Sequence, residues 1–234
     1  MATFVGMERP TWLTAFLDLP AAEFDEGVAF WQAVTGYALS AYRGAREEFA
    51  TLLPPSGDAY LRVQQVETGG PGVHLDVHAP GQDFEVRRSP GGLAYCLVSG
   101  EEREPPVAAT WSDGNRSMVD QVCLDIPPGL YDEECAFWAD LTGWGLVETG
   151  TSEFRRLRRP EGQPLHILLQ RLDAPGGSVR AHLDLSADDR EAEIRRHVGL
   201  GAAVERAHEG WTVMRPPAGP VYCVTGRKPP VAGR

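Results

Sequence analysis

The chain has 234 residues with 42% hydrophobic and 24% charged residues and a formal net charge of -11, the balance of a folded globular protein and not of a disordered one. That charge repels phosphate backbones, and no lysine or arginine cluster with interleaved aromatics offsets it, so nucleic acid is not an expected partner. No apolar run approaches the roughly 20 residues of a membrane span, and Met1-Ala2-Thr3-Phe4-Val5-Gly6 lacks the basic start and apolar core of an export signal, which makes the cytoplasm the expected location.

The first predicted element is a strand, because Trp12 to Leu19 is a short apolar run closed by Pro20. A helix follows: Phe24, Val28, Trp31 and Val34 fall three or four residues apart, and Gly36 stands where a left-handed helix end favours glycine. The Phe30-Trp31 pair is expected to anchor the core and not to stack on a ligand. Short strands come next, broken by the turn Pro54-Pro55-Ser56-Gly57-Asp58 and ending in Leu61-Arg62-Val63-Gln64, so the stretch reads βαβββ. Strands at Val73 to Val77, Asp83 to Arg87 and Tyr95 to Val98 complete this half.

The chain then starts again. A strand from Val119 to Ile126 precedes a helix with Cys135, Trp138 and Leu141 on one face and Gly143 at its stop. Arg155-Arg156-Leu157-Arg158-Arg159 is the one basic patch, expected to be a solvated strand edge whose arginines discourage edge pairing, with an anion site as the alternative. After the turn Arg159-Pro160-Glu161-Gly162 come strands at Ile167 to Gln170 and His182 to Leu185. A further helix opens on a capping box of Asp188 and Glu191, buries Ile194 and Val198, and stops at Gly201. Strands at Ala203 to Glu205, Trp211 to Met214 and Val221 to Thr225 end the chain. The four cysteines, Cys96, Cys123, Cys135 and Cys223, have no CxxC spacing and are expected as free thiols.

These halves are copies of one another. Phe30-Trp31-Gln32-Ala33-Val34-Thr35-Gly36 returns as Phe137-Trp138-Ala139-Asp140-Leu141-Thr142-Gly143, and Leu17-Asp18-Leu19-Pro20 as Leu124-Asp125-Ile126-Pro127. Val73-His74-Leu75-Asp76-Val77 answers to Ala181-His182-Leu183-Asp184-Leu185, Tyr95-Cys96-Leu97-Val98 to Tyr222-Cys223-Val224-Thr225, and Pro105-Pro106-Val107-Ala108 to Pro229-Pro230-Val231-Ala232. The expectation is an α+β protein of two domains, 1–106 and 107–234, each of tandem βαβββ modules. The first domain lacks one helix and one strand, since almost nothing lies between His78 and Asp83. Losing a helix uncovers a sheet face, and the natural cover is the second copy, so the two are expected to pair within the chain, with a homodimer as a further option.

The tandem βαβββ plan, a helix ending FW-x-x-x-TG, then LLQRL, AHLDLSADD and GWTVMRPPAGPVYCV, resembles the glyoxalase, bleomycin-resistance and extradiol-dioxygenase family, the vicinal oxygen chelate superfamily. It looks closest to the glyoxalase-like branch. The resemblance covers residues 117 to 226 and, with the deletion, 12 to 100. It implies curled mixed sheets whose concave face holds a divalent metal or an organic ligand. In enzymatic members the metal sits on His or Gln of each module's first strand and Glu of its last. The matching positions here are Gln121, Gln170, His182 and Cys223 in the second copy, and Thr14, Gln64, His74 and Cys96 in the first. Neither copy has the carboxylates, and without them a metal would keep nearly all its charge in a partly apolar cup.

The resemblance therefore implies a small-molecule binder without the usual metal centre and without another cofactor; the alternative is a metal-dependent lyase, isomerase or dioxygenase. The cup of the second domain is the expected pocket, with Gln121, Cys123, Asp125, Gln170, His182, Asp184 and Cys223 as candidates and His74, Asp76 and Cys96 as first-copy equivalents. If a metal binds, Gln121 and His182 are its ligands, with Glu148 or Glu153 as a misaligned carboxylate; Cys223 and His182 alone make an incomplete zinc site. Asp184 and Asp76 lie two residues from each histidine and so on the same strand face, which suits either a nucleophilic Cys-His pair or a salt-linked structural histidine. Asp18 and Asp125 are expected as turn formers before Pro20 and Pro127, with proton acceptors in the cup as the alternative. Tyr42, Tyr60, Trp144, Trp211 and Tyr222 are the aromatics available to wall a flat ligand.

Overall fold

The computed structural model describes residues 8–101 and 103–230; the export-signal reading of residues 1–6 and the last two residues of the Pro229–Ala232 repeat fall outside them. The architecture is α+β, as expected. Seven strands of the first copy make one sheet: β1 (Trp12–Pro20), β2 (Ala38–Leu39), β3 (Phe49–Leu53), β4 (Leu61–Val66), β5 (Gly72–Ala79), β6 (Glu85–Arg88) and β7 (Ala94–Ser99). Nine of the second copy make another: β8 (Ala109–Thr110), β9 (Arg116–Ile126), β10 (Leu146–Glu148), β11 (Phe154–Leu157), β12 (His166–Arg171), β13 (Arg180–Ala187), β14 (Ala203–Ala207), β15 (Trp211–Arg215) and β16 (Tyr222–Thr225). Three α-helices accompany them among the described residues, α1 (Phe24–Thr35), α2 (Tyr131–Thr142) and α3 (Arg190–Gly199). None is long and apolar enough to cross a membrane.

The boundary between the copies separates the two sheets, but the compact units cut across it. One unit comprises residues 1–15, 74–104 and 121–181, the other 16–73, 105–120 and 182–234. In the first unit β10, β11, β12 and β9 lie side by side, antiparallel except for the parallel β12–β9 pair, and β5, β7 and β6 form a second run. Here α2, from the second copy, covers β7, from the first. Trp138 and Phe137 meet Tyr95 at ring-centroid distances of 5.6 and 5.8 Å. The buried Glu134 carboxylate of α2 accepts hydrogen bonds from Trp138 Nε1 at 2.8 Å and from the Gly91 backbone N–H. The two copies therefore pair within the chain, with α2 of the second packed on β7 of the first.

The second unit repeats the exchange with the roles reversed. Its strands run β2, β3, β4 and, separately, β13, β16, β15, β14. Here α1, from the first copy, lies on β16, from the second, with Trp31 and Phe30 at 5.2 and 5.9 Å from Tyr222. Both Thr-Gly helix stops work in one way. Thr35 and Thr142 donate their hydroxyls to the Trp31 and Trp138 carbonyls at 2.7 and 2.6 Å, then accept the N–H of Tyr37 and Trp144 at 3.2 Å. Gly36 and Gly143 take the left-handed conformation, φ 72° and 67°, that the cap requires.

The third helix departs from its sequence reading. Its N-cap is Asp189, whose side chain accepts the Ala192 N–H at 2.9 Å, while Asp188 instead holds Arg116 at 2.7 Å. Val198 is 48% exposed, and the buried residues are Glu193, Ile194 and His197. This helix buries a polar network, not an apolar stripe. Glu193 accepts from Arg196 (2.6 and 3.1 Å), Asn115 (3.1 Å) and His197 Nε2 (3.0 Å), and Tyr222 Oη meets His197 Nδ1 at 2.9 Å. Arg196 also donates to the Ala33 and Val34 carbonyls, satisfying the last turn of α1, and stacks 3.6 Å from the Trp111 ring centroid.

The first copy has no counterpart of α3 or β14, as expected, and β6 is the outermost strand of its sheet among the described residues. Val86 pairs with Cys96 as Val213 pairs with Cys223, which aligns Glu85 and Arg87 with Thr212 and Met214. Thr212 and Met214 are buried, whereas Glu85 and Arg87 form a solvent-facing ion pair at 2.7 Å. Where the helix is lost, charge has replaced the residues it would have buried.

Candidate functional site

In the second unit, β13 and β16 run parallel with Asp184 opposite Cys223. Strand alternation puts His182 on the same face as Asp184. His182 Nε2 lies 3.3 Å from Asp184 Oδ1 and 3.6 Å from Cys223 Sγ, so an imidazole nitrogen, a carboxylate oxygen and a sulfur converge. All three side chains are largely buried, with 13% of His182 and 5% of Asp184 exposed. Behind them Arg227 lies 3.9 Å from Asp184 and is paired with Asp120. Burial, helped by the charge of Asp184, pushes the Asp120 carboxyl above its usual range in spite of Arg227. Sequence reasoning missed both Asp120 and Arg227; neither carries a motif, and they are distant in the chain.

The first unit holds the equivalent cluster. His74, Asp76 and Cys96 bring their ligand atoms within 4.8 Å of one another, with Asp76 opposite Cys96 on the parallel pair β5–β7. Thr14, at a matched family position, instead hydrogen-bonds His78 Nε2 at 2.9 Å.

Also in the first unit, Gln121, Cys123 and Asp125 alternate along one face of β9, opposite His166, Leu168 and Gln170 of β12. Cys123 Sγ donates to Gln170 Oε1 at 3.7 Å, and Gln170 Nε2 donates to Glu153 Oε1 at 2.8 Å. Glu148 is held by Arg155 at 2.9 Å. Neither glutamate proposed as a displaced metal ligand is therefore idle. Asp18 and Asp125 lie inside β1 and β9, so the turn reading is corrected.

A cleft of about 480 Å³ opens on the β10–β11–β12 face, lined by Arg156, Arg158, Arg159 and His166 with apolar Val147 and Pro160. The reading of this basic run as a strand edge is corrected too: β11 is paired on one side with β10 and on the other with β12. Among the aromatics, Tyr60, Trp144 and Tyr222 are core residues, Tyr42 is exposed, and Trp211 stacks on His208 at 4.4 Å. All four cysteines are buried and make no disulfide.

The donor set bears on the expectation that no metal is held. That expectation rested on missing carboxylates at the last strands, yet Asp184 and Asp76 bring carboxylates to the histidines from the neighbouring position. In a tetrahedral zinc site, bonds of about 2.1 Å to N and O and about 2.3 Å to S give N···O and N···S edges of about 3.4 and about 3.6 Å. The His182 separations of 3.3 and 3.6 Å match both. Both separations from His182 are thus those of a zinc-like site, and the Asp184 and Cys223 ligand atoms lie within 4.8 Å of one another.

The profile of a glyoxalase-like domain matches residues 14–96 and 121–225. Among solved structures, 2,3-dioxygenase LapB from Pseudomonas sp. KL28 is 13% identical over 97% of this chain and 96% of its own, with a TM-score of 0.62. A mutant of 4-hydroxymandelate synthase from Streptomyces coelicolor is 15% identical over 96% of this chain and 94% of its own, TM-score 0.59. A catechol 2,3-dioxygenase is 12% identical over 97% and 92%, TM-score 0.56. At such identities the likeness is one of fold. No curated protein sequence matches.

Proposed function

The chain belongs to the glyoxalase-like domain family, and on that premise we propose that it binds a small organic molecule on the sheet face presenting His182, Asp184 and Cys223. The observation that carries this reading is the convergence of a nitrogen donor, a carboxylate and a sulfur around His182 Nε2 at 3.3 and 3.6 Å. Three polar groups sheltered on an otherwise apolar strand pair are the kind of fixed recognition point that orients a ligand against hydrophobic walls. Histidine offers a donor or an acceptor according to its protonation, and the carboxylate holds it in one orientation.

A second reading is favoured by the same distances. His182, Asp184 and Cys223 would hold a zinc-like divalent ion, and such an ion supplies Lewis-acid polarisation of a ligand oxygen. It is not the family's usual His/Gln and Glu centre, because Cys223 stands where the last-strand carboxylate would be. Around it, Asp184 supplies charge neutralisation and Arg227 buttresses the carboxylate from behind.

One experiment addresses both. Protein purified without chelators is assayed for bound metal and then for thermal stabilisation by a panel of small organic compounds, beside His182→Ala and Cys223→Ser. Binding lost in His182→Ala supports the first reading, and near-stoichiometric metal lost in both variants supports the second. A panel hit that survives His182→Ala unchanged would sink the proposed site.

A further inference from the structure

The arginine run of β11 has no structural employment on one of its two faces. Strand alternation sends Arg155 one way, where it pairs with Asp132 at 2.6 Å and Glu148 at 2.9 Å and lies over the Tyr131 ring. Arg156 points the other way: it is the Cα partner of both Val147 and Leu168, whose side chains share its face. Arg158 follows two residues on, and both line the 480 Å³ cleft. Neither guanidinium makes an ion pair or hydrogen bond among the described residues. Arg159, beside them, donates to the Pro164 carbonyl at 3.0 Å, and His166 adds a further nitrogen. One acid, the exposed Glu161, lies on the lining.

Edge protection does not explain this arrangement, since β11 is an interior strand. Nor does general surface charge, because the chain carries -11 overall while this cleft concentrates three arginines against one glutamate. Like charges gathered in a concavity repel one another, and an anion relieves that repulsion. Guanidinium groups match a carboxylate in bidentate geometry. Val147 and Pro160 give the cleft an apolar side, and its volume falls in the range of small-molecule sites. His166 stands opposite Gln121 on β9, so an amide lies next along the same sheet face.

We infer that this cleft is a binding site for a small organic carboxylate, held by Arg156 and Arg158 with its ring system against Val147 and Pro160. The site is independent of the reading built on His182.

The test uses 2-naphthoate and its neutral amide as probes, titrated calorimetrically into the full chain at low ionic strength. Naphthoate binds saturably, the amide binds roughly tenfold or more weakly, and affinity for naphthoate falls as salt is raised. Arg156→Ala and Arg158→Ala each weaken naphthoate binding roughly ten- to a hundredfold. Arg156→Lys recovers only part of the loss, because charge is kept and the fork geometry is not. Both arginines are exposed, and circular dichroism checks that the variants fold. Arg206→Ala, which removes an exposed arginine of β14 outside both proposed sites, binds naphthoate as the unmodified chain does. The inference is overturned if naphthoate does not bind, if acid and amide bind alike, if the Arg156 and Arg158 variants bind normally, or if Arg206→Ala weakens binding as much as they do.

Discussion

Replacing Glu193 by glutamine should reduce the acid sensitivity of the second unit. Burial alone would raise the pKa of this carboxyl, but the hydrogen bonds from His197 and Arg196 outweigh it and hold the pKa at about 2, against 4.5 for an ordinary glutamate. With the folded value depressed, the stabilisation is complete above the unfolded value. It drains away as pH falls from about 4.5 through about 2. A displacement of that size corresponds to about 3 kcal/mol at neutral pH. His197, whose burial lowers its own pKa, enters as a neutral donor, so the charge pair is with Arg196. Glutamine keeps the shape but points an amide N–H at a group that also donates, and it loosens the Arg196 fork that caps α1 at Ala33 and Val34. The assay is urea unfolding of both proteins at pH 7, 5, 4 and 3. Glu193→Gln should lose about 3 kcal/mol at pH 7, and the gap between the proteins should narrow steadily below pH 5. Two stability curves that run parallel from pH 7 to 3 would refute the account.

The duplicated tryptophans supply a matched contrast. Trp138 Nε1 donates to the buried Glu134, so Trp138→Phe leaves a carboxylate short of a donor and should cost about 1–3 kcal/mol more than lost packing alone. Trp31 Nε1 has no hydrogen-bond partner among the described residues, and glycine stands at the position equivalent to Glu134, so Trp31→Phe should cost only packing. Comparable losses on urea unfolding would contradict this. The helix-stop glycines differ in a similar way. Alanine at either would sit at positive φ at a cost of about 1–2 kcal/mol, but at Gly36 its methyl would also meet Trp111 at 3.2 Å, while at Gly143 it makes ordinary contacts with Arg9 at 3.7 Å. Gly36→Ala should therefore melt lower than Gly143→Ala, and the reverse order would show that the Trp111 approach is not limiting.

Much of this protein was legible in its sequence because the signals were local and said twice. Strand runs ended at proline, helix faces recurred every three or four residues, and Thr-Gly stops appeared at the same place in both copies; each depends on neighbours along the chain. The absence of α3 and β14 from the first copy was legible for the same reason, as a gap between aligned segments. The association of His182 with Asp184 and Cys223 followed from strand parity and from the matching trio His74, Asp76 and Cys96.

What the tertiary structure decided is what distant segments do to one another. Periodicity could not show that α3 buries Glu193 and His197, because a polar residue is tolerated inside only when partners such as Asn115, Arg196 and Tyr222 arrive from elsewhere. The run at 155–159 looked like an edge until the three-residue strand β10 was found beside it. The exchange of α1 and α2 between the copies left no mark in either helix, since an apolar stripe records that it is covered and not by what. A carboxylate beside His182 was missed as a metal-ligand position because the family pattern names residues by strand, whereas coordination depends on which atoms converge. Local patterns carry most of the elements, the duplication and the family; the exchange of helices, the polar heart of α3 and the free face of β11 depend on long-range pairing, which no local pattern encodes.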